Sequence, residues 1–172
     1  MKKDEYYEVV VTTGGGLYRY RLNDIIQVTG FYHDLPQFRF VGKADLCSDI
    51  CGEKLHEYHV SKALKNVFLK YKIPGHTHYI APGVRGGAAR YLLYISEKDY
   101  TEKSVDSGSL AEELDLQLRS NYHYDYCRKL GQLQLPEVVL MDDQMVKEYL
   151  SERLGRSKPG TVKFPKLEKQ RC

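Results

Sequence analysis

Long apolar runs, dense charge of one sign and paired cysteine motifs are all missing from this chain. No stretch of about 20 apolar residues occurs, so no segment reads as a membrane-spanning helix. Lysine and arginine exceed aspartate and glutamate by only three, and no basic cluster gathers on one face, which argues against a nucleic-acid surface. The four cysteines, Cys47, Cys51, Cys127 and Cys172, form no C-x-x-C pair and no dense disulfide framework. They read as free thiols of a reducing cytoplasm. Cys47, Cys51, His56 and His59 lie close together, but their spacing fits no finger or ribbon pattern, so no metal site is expected. The opening MKKDEYYEVV lacks the apolar centre of a signal peptide. Tryptophan is absent while tyrosine is abundant, an imbalance without a physical account. No internal repeat or low-complexity segment is visible.

What is present fits a globular protein of one domain, or one domain and a piece of another. At 172 residues the chain is long enough to bury a sizeable core. Residues 6 to 42 read as three or four short strands. YEVVVTT, LYRYRL, IIQVTGFY and QFRFVG are rich in β-branched and aromatic residues. Gly14 to Gly16, Gly30 and Leu35-Pro36 punctuate them.

The style changes after Gly42. Val60, Ala63, Leu64, Val67 and Tyr71 give helical spacing in a helix expected from near Glu53 to before Pro74-Gly75. THYIAP and ARYLLYIS read as strands separated by a flexible GVRGGA. A second helix is expected to open at Ser109, with Glu112 completing a capping box. PEVVLMD is a strand. Asp142 or Asp143 caps a last helix carrying Val146, Tyr149, Leu150 and Leu154, which Gly155 ends. Residues 46 to 155 thus read β-α-β-β-α-β-α. The fold class is α+β, a small mixed sheet with flanking helices preceded by an all-β meander. By pattern alone, the basic stretch after Gly155 is a mobile terminus.

Three candidates for chemistry emerge. Gly14-Gly15-Gly16 invites a phosphate-loop reading, but a strand precedes it, a strand-like segment follows, and no G-K-[ST] is present. A hairpin turn fits better. Asp24 after the next strand reads as a cap, a turn former or a solvated acid. Lys163, in SKPGTVKFPK, reads as a solvated charge unless its segment folds over an anion.

One family unites these candidates. VVVTTGGGLYRYRLNDIIQVTGFYHDLPQFRFVGKADL resembles the end of the large domain in acyl-adenylate-forming enzymes, in particular the auxin-responsive acyl-acid amido synthetases of plants and their bacterial relatives. The family's Tyr-Arg-x-Gly-Asp motif stands here as Tyr20-Arg21-Leu22-Asn23-Asp24. GKADLCSDICGEKLHEYHV is similar to the superfamily's hinge segment, and GRSKPGTVKFPKL to the family's C-terminal end. The resemblance implies large-domain strands over 1–44 and a lid domain over 45–172. It implies that Asp24 holds the ribose hydroxyls of ATP, with Tyr20, Arg21 and Lys43 on the nucleotide side. It makes Asp45 the hinge and Lys163 the catalytic lysine that reaches the α-phosphate and the acyl carboxylate. Asn23 stands in place of the motif glycine, and asparagine tolerates a positive φ.

The implied function is an ATP- and Mg-dependent ligase. It joins a carboxylic acid to AMP and passes the acyl group to an amine such as an amino acid. The family's phosphate loop and acyl pocket lie upstream of anything in this chain. The chain alone is therefore expected to be inactive, to need an N-terminal domain as partner, and to pair with a second copy through exposed strand edges. Two alternatives stand beside this reading. One is the C-terminal domain of an acyl-CoA ligase of the phenylacetate-CoA ligase kind, with a thiol acceptor. The other is a stand-alone binding module or small subunit of a split enzyme.

Overall fold

A computed structural model of the chain describes residues 1–43, 47–100, 105–154 and 166–168. The chain divides into two compact units, Met1–Cys47 and Ser48–Cys172.

The first unit is a three-stranded antiparallel sheet of β1 (Tyr6–Val11), β2 (Tyr20–Tyr32) and β3 (Leu35–Lys43), with β2 in the centre. LYRYRL and IIQVTGFY are not separate strands. From Tyr20 onward they run as one 13-residue strand, while Leu17 to Arg19 stay in the β1–β2 loop. Leu35-Pro36 does not mark the second turn either. His33-Asp34 makes it, with His33 at φ 51°, and Pro36 lies within edge strand β3, where a missing N–H is tolerated.

The second unit opens on a two-stranded ribbon, β4 (Cys47–Ser48) with β5 (Leu55–His56). Helix α1 follows at Glu57–Tyr71, four residues later than the spacing predicts. The reason is local. Gly52 at φ 100° makes a turn, and the Glu53 carboxylate turns back to accept the N–H groups of Ile50 (2.8 Å) and Cys51 (2.8 Å) instead of starting a helix. Val60, Ala63, Leu64 and Val67 are buried as their periodicity predicts.

Strands β6 (His78–Arg85) and β7 (Ala88–Ser96) form an antiparallel hairpin, and β8 (Glu137–Met141) joins β7 in parallel. The GVRGGA stretch is mostly strand. Only Gly86 and Gly87, both at positive φ, form its turn, the backbone that a two-residue hairpin demands. Alternation on β7 sends Tyr91, Leu93 and Ile95 into a core shared with α1, while Tyr94 stacks on Tyr79 on the other face.

Helix α2 (Ser107–Leu118) starts two residues before the expected Ser109, because Asp106 caps it by accepting the N–H of Ser109 at 2.9 Å. Helix α3 (Tyr122–Lys129), capped by Asn121, is an element the periodicity does not reveal. Helix α4 (Asp143–Leu154) has Asp142 as its cap, accepting from Met145 at 2.8 Å, and its Tyr149 stacks on Tyr79. Gly155 lies outside the described residues.

The expectation of a mobile terminus fails at Lys166–Glu168. Leu167 is buried and bridges Ile80 on β6, and the Lys166 N–H donates to Glu57 at 2.8 Å.

Candidate functional site

The candidate site lies on the β2–β3 pair of the first unit. The glycine loop that leads into it uses its own amides. Thr13 N–H donates to Leu17 O at 2.8 Å and Gly16 N–H to Thr13 O at 3.3 Å. Gly16 adopts φ 102°. Amides spent on closing a turn do not converge on a phosphate, so the loop is a hairpin connection.

Seven residues beyond Gly16, Asn23 adopts φ 56°, in the left-handed region where glycine is at ease and asparagine is the best tolerated substitute. Beyond it, Asp24 faces Lys43 across the strands. That register is not trivial, because β2 and β3 each carry one extra residue, Thr29 on β2 and Val41 on β3. The two slips lie on opposite strands and cancel, so the acid and the lysine still meet. Their side chains form an ion pair, and Lys43 also donates to Leu22 O at 3.4 Å. The pair engages Oδ1 of Asp24, while the carboxylate's other oxygen takes no hydrogen bond among the described residues. The Asp24 side chain is 27% exposed, so a ligand can reach it.

Arg21 is not part of this pair. Its guanidinium runs to Glu8 on β1 at 2.8 Å and is largely exposed. Tyr20, paired with Val11, is exposed as well. Thus the structure brings together Asp24 and Lys43, and directs Arg21 elsewhere. Asp45 and Lys163 lie outside the described residues.

The second unit holds a polar cluster that the sequence reading misses. Glu53 is fully buried and accepts a hydrogen bond from the Tyr91 hydroxyl, whose oxygen in turn accepts from the Ser48 hydroxyl at 2.9 Å. Burial and the adjacent carboxylate push the Tyr91 hydroxyl far up from its ordinary value. The only signal in the sequence was Gly52 just before the acid; the structure adds positive φ on both sides of Glu53, at Gly52 and Lys54, which aims its side chain. A second buried acid, Asp115, accepts from Arg119 at 2.7 Å, Arg128 at 2.7 Å and the Tyr124 hydroxyl at 2.9 Å, tying α2 to α3. No helix among the described residues is long and apolar enough to cross a membrane.

Two family models match the chain in succession. The GH3 family central domain covers residues 1–43, and the GH3 family C-terminal domain covers residues 58–171. The chain belongs to the GH3 family. It corresponds to the C-terminal portion of the family's enzymes. GH3.9 of Arabidopsis thaliana is 28% identical over 95% of this chain, which spans 30% of that relative. GH3.12 of the same plant, a 4-substituted benzoates-glutamate ligase, is 35% identical over 62% of this chain and 20% of its own length. The chain therefore spans less than a third of these curated relatives. Among solved structures, the AtGH3.15 acyl acid amido synthetase in complex with 2,4-DB matches with a TM-score of 0.73 and 25% identity, over 97% of this chain and 31% of that one. The α+β class read from the GH3 sequence is the fold observed.

Proposed function

We propose that this chain supplies the C-terminal part of an ATP-dependent acyl-acid amido synthetase, which activates a carboxylic acid with ATP and transfers the acyl group to the amine of an amino acid. The observation that carries this reading is the succession of the two GH3 domain models in one chain, 1–43 then 58–171. The relatives named as amido synthetases and as a glutamate ligase support an amino acid acceptor over a thiol.

In this reading Asp24 accepts hydrogen bonds from the two ribose hydroxyls. A carboxylate suits that task because each oxygen offers two lone pairs, and Lys43 occupies only one of the oxygens. Lys43 holds the carboxylate in place across the strands. Arg21 and Tyr20 flank the nucleotide side of the strand. Lys163 places a compact positive charge where the acid's oxygen meets the α-phosphate and stabilises charge that builds up there. Asp45 is the pivot on which residues 45–172 swing, withdrawing Lys163 and admitting the amine. ATP arrives with Mg²⁺, which neutralises phosphate charge. The protein works in the cytoplasm, where its thiols stay reduced.

The test uses the whole enzyme and separates the two half-reactions. Lys163→Ala is expected to depress acid-dependent ATP–pyrophosphate exchange far more than amide formation from a supplied acyl-adenylate. Equal loss in both would refute the role. Asp24→Ala is expected to raise the KM for ATP, and an unchanged KM would refute that assignment. The 172-residue chain alone is expected to turn over no ATP with any acid; turnover by it would favour an independent module.

A further inference from the structure

Cys51 and Cys127 are 76 positions apart, and the fold brings them together beside Glu53. Their two Sγ atoms and a carboxylate oxygen all lie within 4.8 Å of one another. Both thiol hydrogens point within this group. The Cys127 S–H donates to the carbonyl of Cys51 at 3.5 Å, and the Cys51 S–H to Glu53 Oε2 at 3.4 Å. We infer that Cys51, Cys127 and Glu53 form a binding site for a thiophilic divalent cation of the zinc type, with two thiolates and one carboxylate oxygen as ligands.

The donor set is the one such a cation selects, sulfur first and a carboxylate oxygen beside it. Around a tetrahedral ion with metal–sulfur bonds of about 2.3 Å, the two sulfurs stand about 3.8 Å apart. The observed group thus needs to contract by no more than about 1 Å, within reach of side-chain rotation alone. Glu53 is already oriented. The N–H groups of Ile50 and Cys51 and the hydroxyl of Tyr91 fix its carboxylate, as the outer partners of a metal-binding acid do. Without a cation, burial, the neighbouring Cys127 and the Glu53 charge all push the Cys51 thiol up. A divalent charge reverses that balance, and binding releases two thiol protons to solvent. Cys127 is buried on α3, whereas Cys51 is part-exposed and gives the ion a side from which to enter. Neighbours in sequence are a poor guide here. His59, near Cys51 in the chain, is spent on the carbonyl of Leu118 at 3.2 Å.

The site is tested on the reduced, chelator-stripped 172-residue chain by titration with Co²⁺, followed by displacement with Zn²⁺. One equivalent is expected, with thiolate-to-cobalt absorption in the near ultraviolet that Zn²⁺ abolishes. Cys51→Ser is expected to weaken binding at least 100-fold, while Cys47→Ser and Cys172→Ser retain it. Because Cys127 is buried and its replacement risks unfolding, Cys51→Ser, checked for native circular dichroism, decides the matter. The proposal is overturned by a folded, reduced wild type that shows no charge-transfer band. It is equally overturned by a band that survives in Cys51→Ser, or by a pair that only oxidises to a disulfide and takes up no metal once reduced.

Discussion

The two units of this chain treat apolar side chains in opposite ways. In the second unit, Leu55, Val60, Val67, Leu93, Ile95, Leu110, Leu114 and Leu118 sit in one continuous core, with Tyr91 and Tyr124 among them. In the first, Val28 is the single fully buried hydrophobic side chain among the described residues, while Tyr18, Tyr32, Leu35, Phe38 and Phe40 are each more than half exposed. A sheet with so much apolar surface in water is a layer that lacks its second layer. The second unit has the makings of an independent domain. The first has little core of its own among the described residues. It is the stretch that the GH3 central-domain model matches, residues 1–43.

This contrast has measurable consequences. The largest is at the core of the second unit, where Leu114→Ala is expected to cost about 4 kcal/mol in urea unfolding, combining lost burial with a cavity. A cost below about 1 kcal/mol would deny that unit a tight core.

Next is acid. His78 is buried, its Nδ1 has no hydrogen-bond partner, and desolvation together with the Lys166 charge pushes it down to about 4. An unfolded histidine titrates near 6.5, so between those values the unfolded chain binds more protons. The contribution of His78 to stability is therefore flat above about pH 6.5 and falls as the pH drops toward 4, by on the order of 3 kcal/mol. Urea midpoints across that range check the slope, and His78→Gln is expected to make it shallower, with His56 and His59, which burial also pushes down, supplying the rest.

A smaller effect belongs to the first unit. Asn23→Val forces a β-branched side chain into φ 56° and is expected to cost about 1–2 kcal/mol, whereas Asn23→Gly is neutral or mildly stabilising. The smallest sharpens the comparison most. Replacing both Phe38 and Phe40 with serine is expected to change unfolding free energy by less than about 0.5 kcal/mol, since both side chains are already in water. The same change is expected to lower self-association in sedimentation. A loss above 2 kcal/mol would mean the first unit has a core after all.

Much of this was legible in the residues. The apolar stripe of α1 and the alternation of ARYLLYIS each follow from a single element's period, so local reading recovers them. The positive φ at Asn23 was legible in another way, from the resemblance that sets it in the place of a motif glycine. What was not legible is of two kinds. One is backbone decided by a residue just outside the periodic segment. Asp106 takes the cap assigned to Ser109, and Asn121 opens a helix whose tyrosine-rich sequence carries no clear stripe. The other is partnership over distance. The meeting of Asp24 with Lys43 depends on two bulges that cancel, and nothing local announces either. Likewise Cys51 meets Cys127 only after α3 is in place. Leu167 pairs with Ile80 although the surrounding residues read as tail.

That last pairing has a consequence for synthesis. The Lys166 amide closes on Glu57, 109 positions earlier. At the pace of a ribosome, roughly 5–20 residues per second, the helix that carries Glu57 waits roughly 5–20 s for its partner to be made. Until then Ile80 lacks its cover and Glu57 its donor. The second unit therefore cannot reach its final form until residues 166–168 have been made, and Glu57 and Ile80 wait uncovered for those seconds.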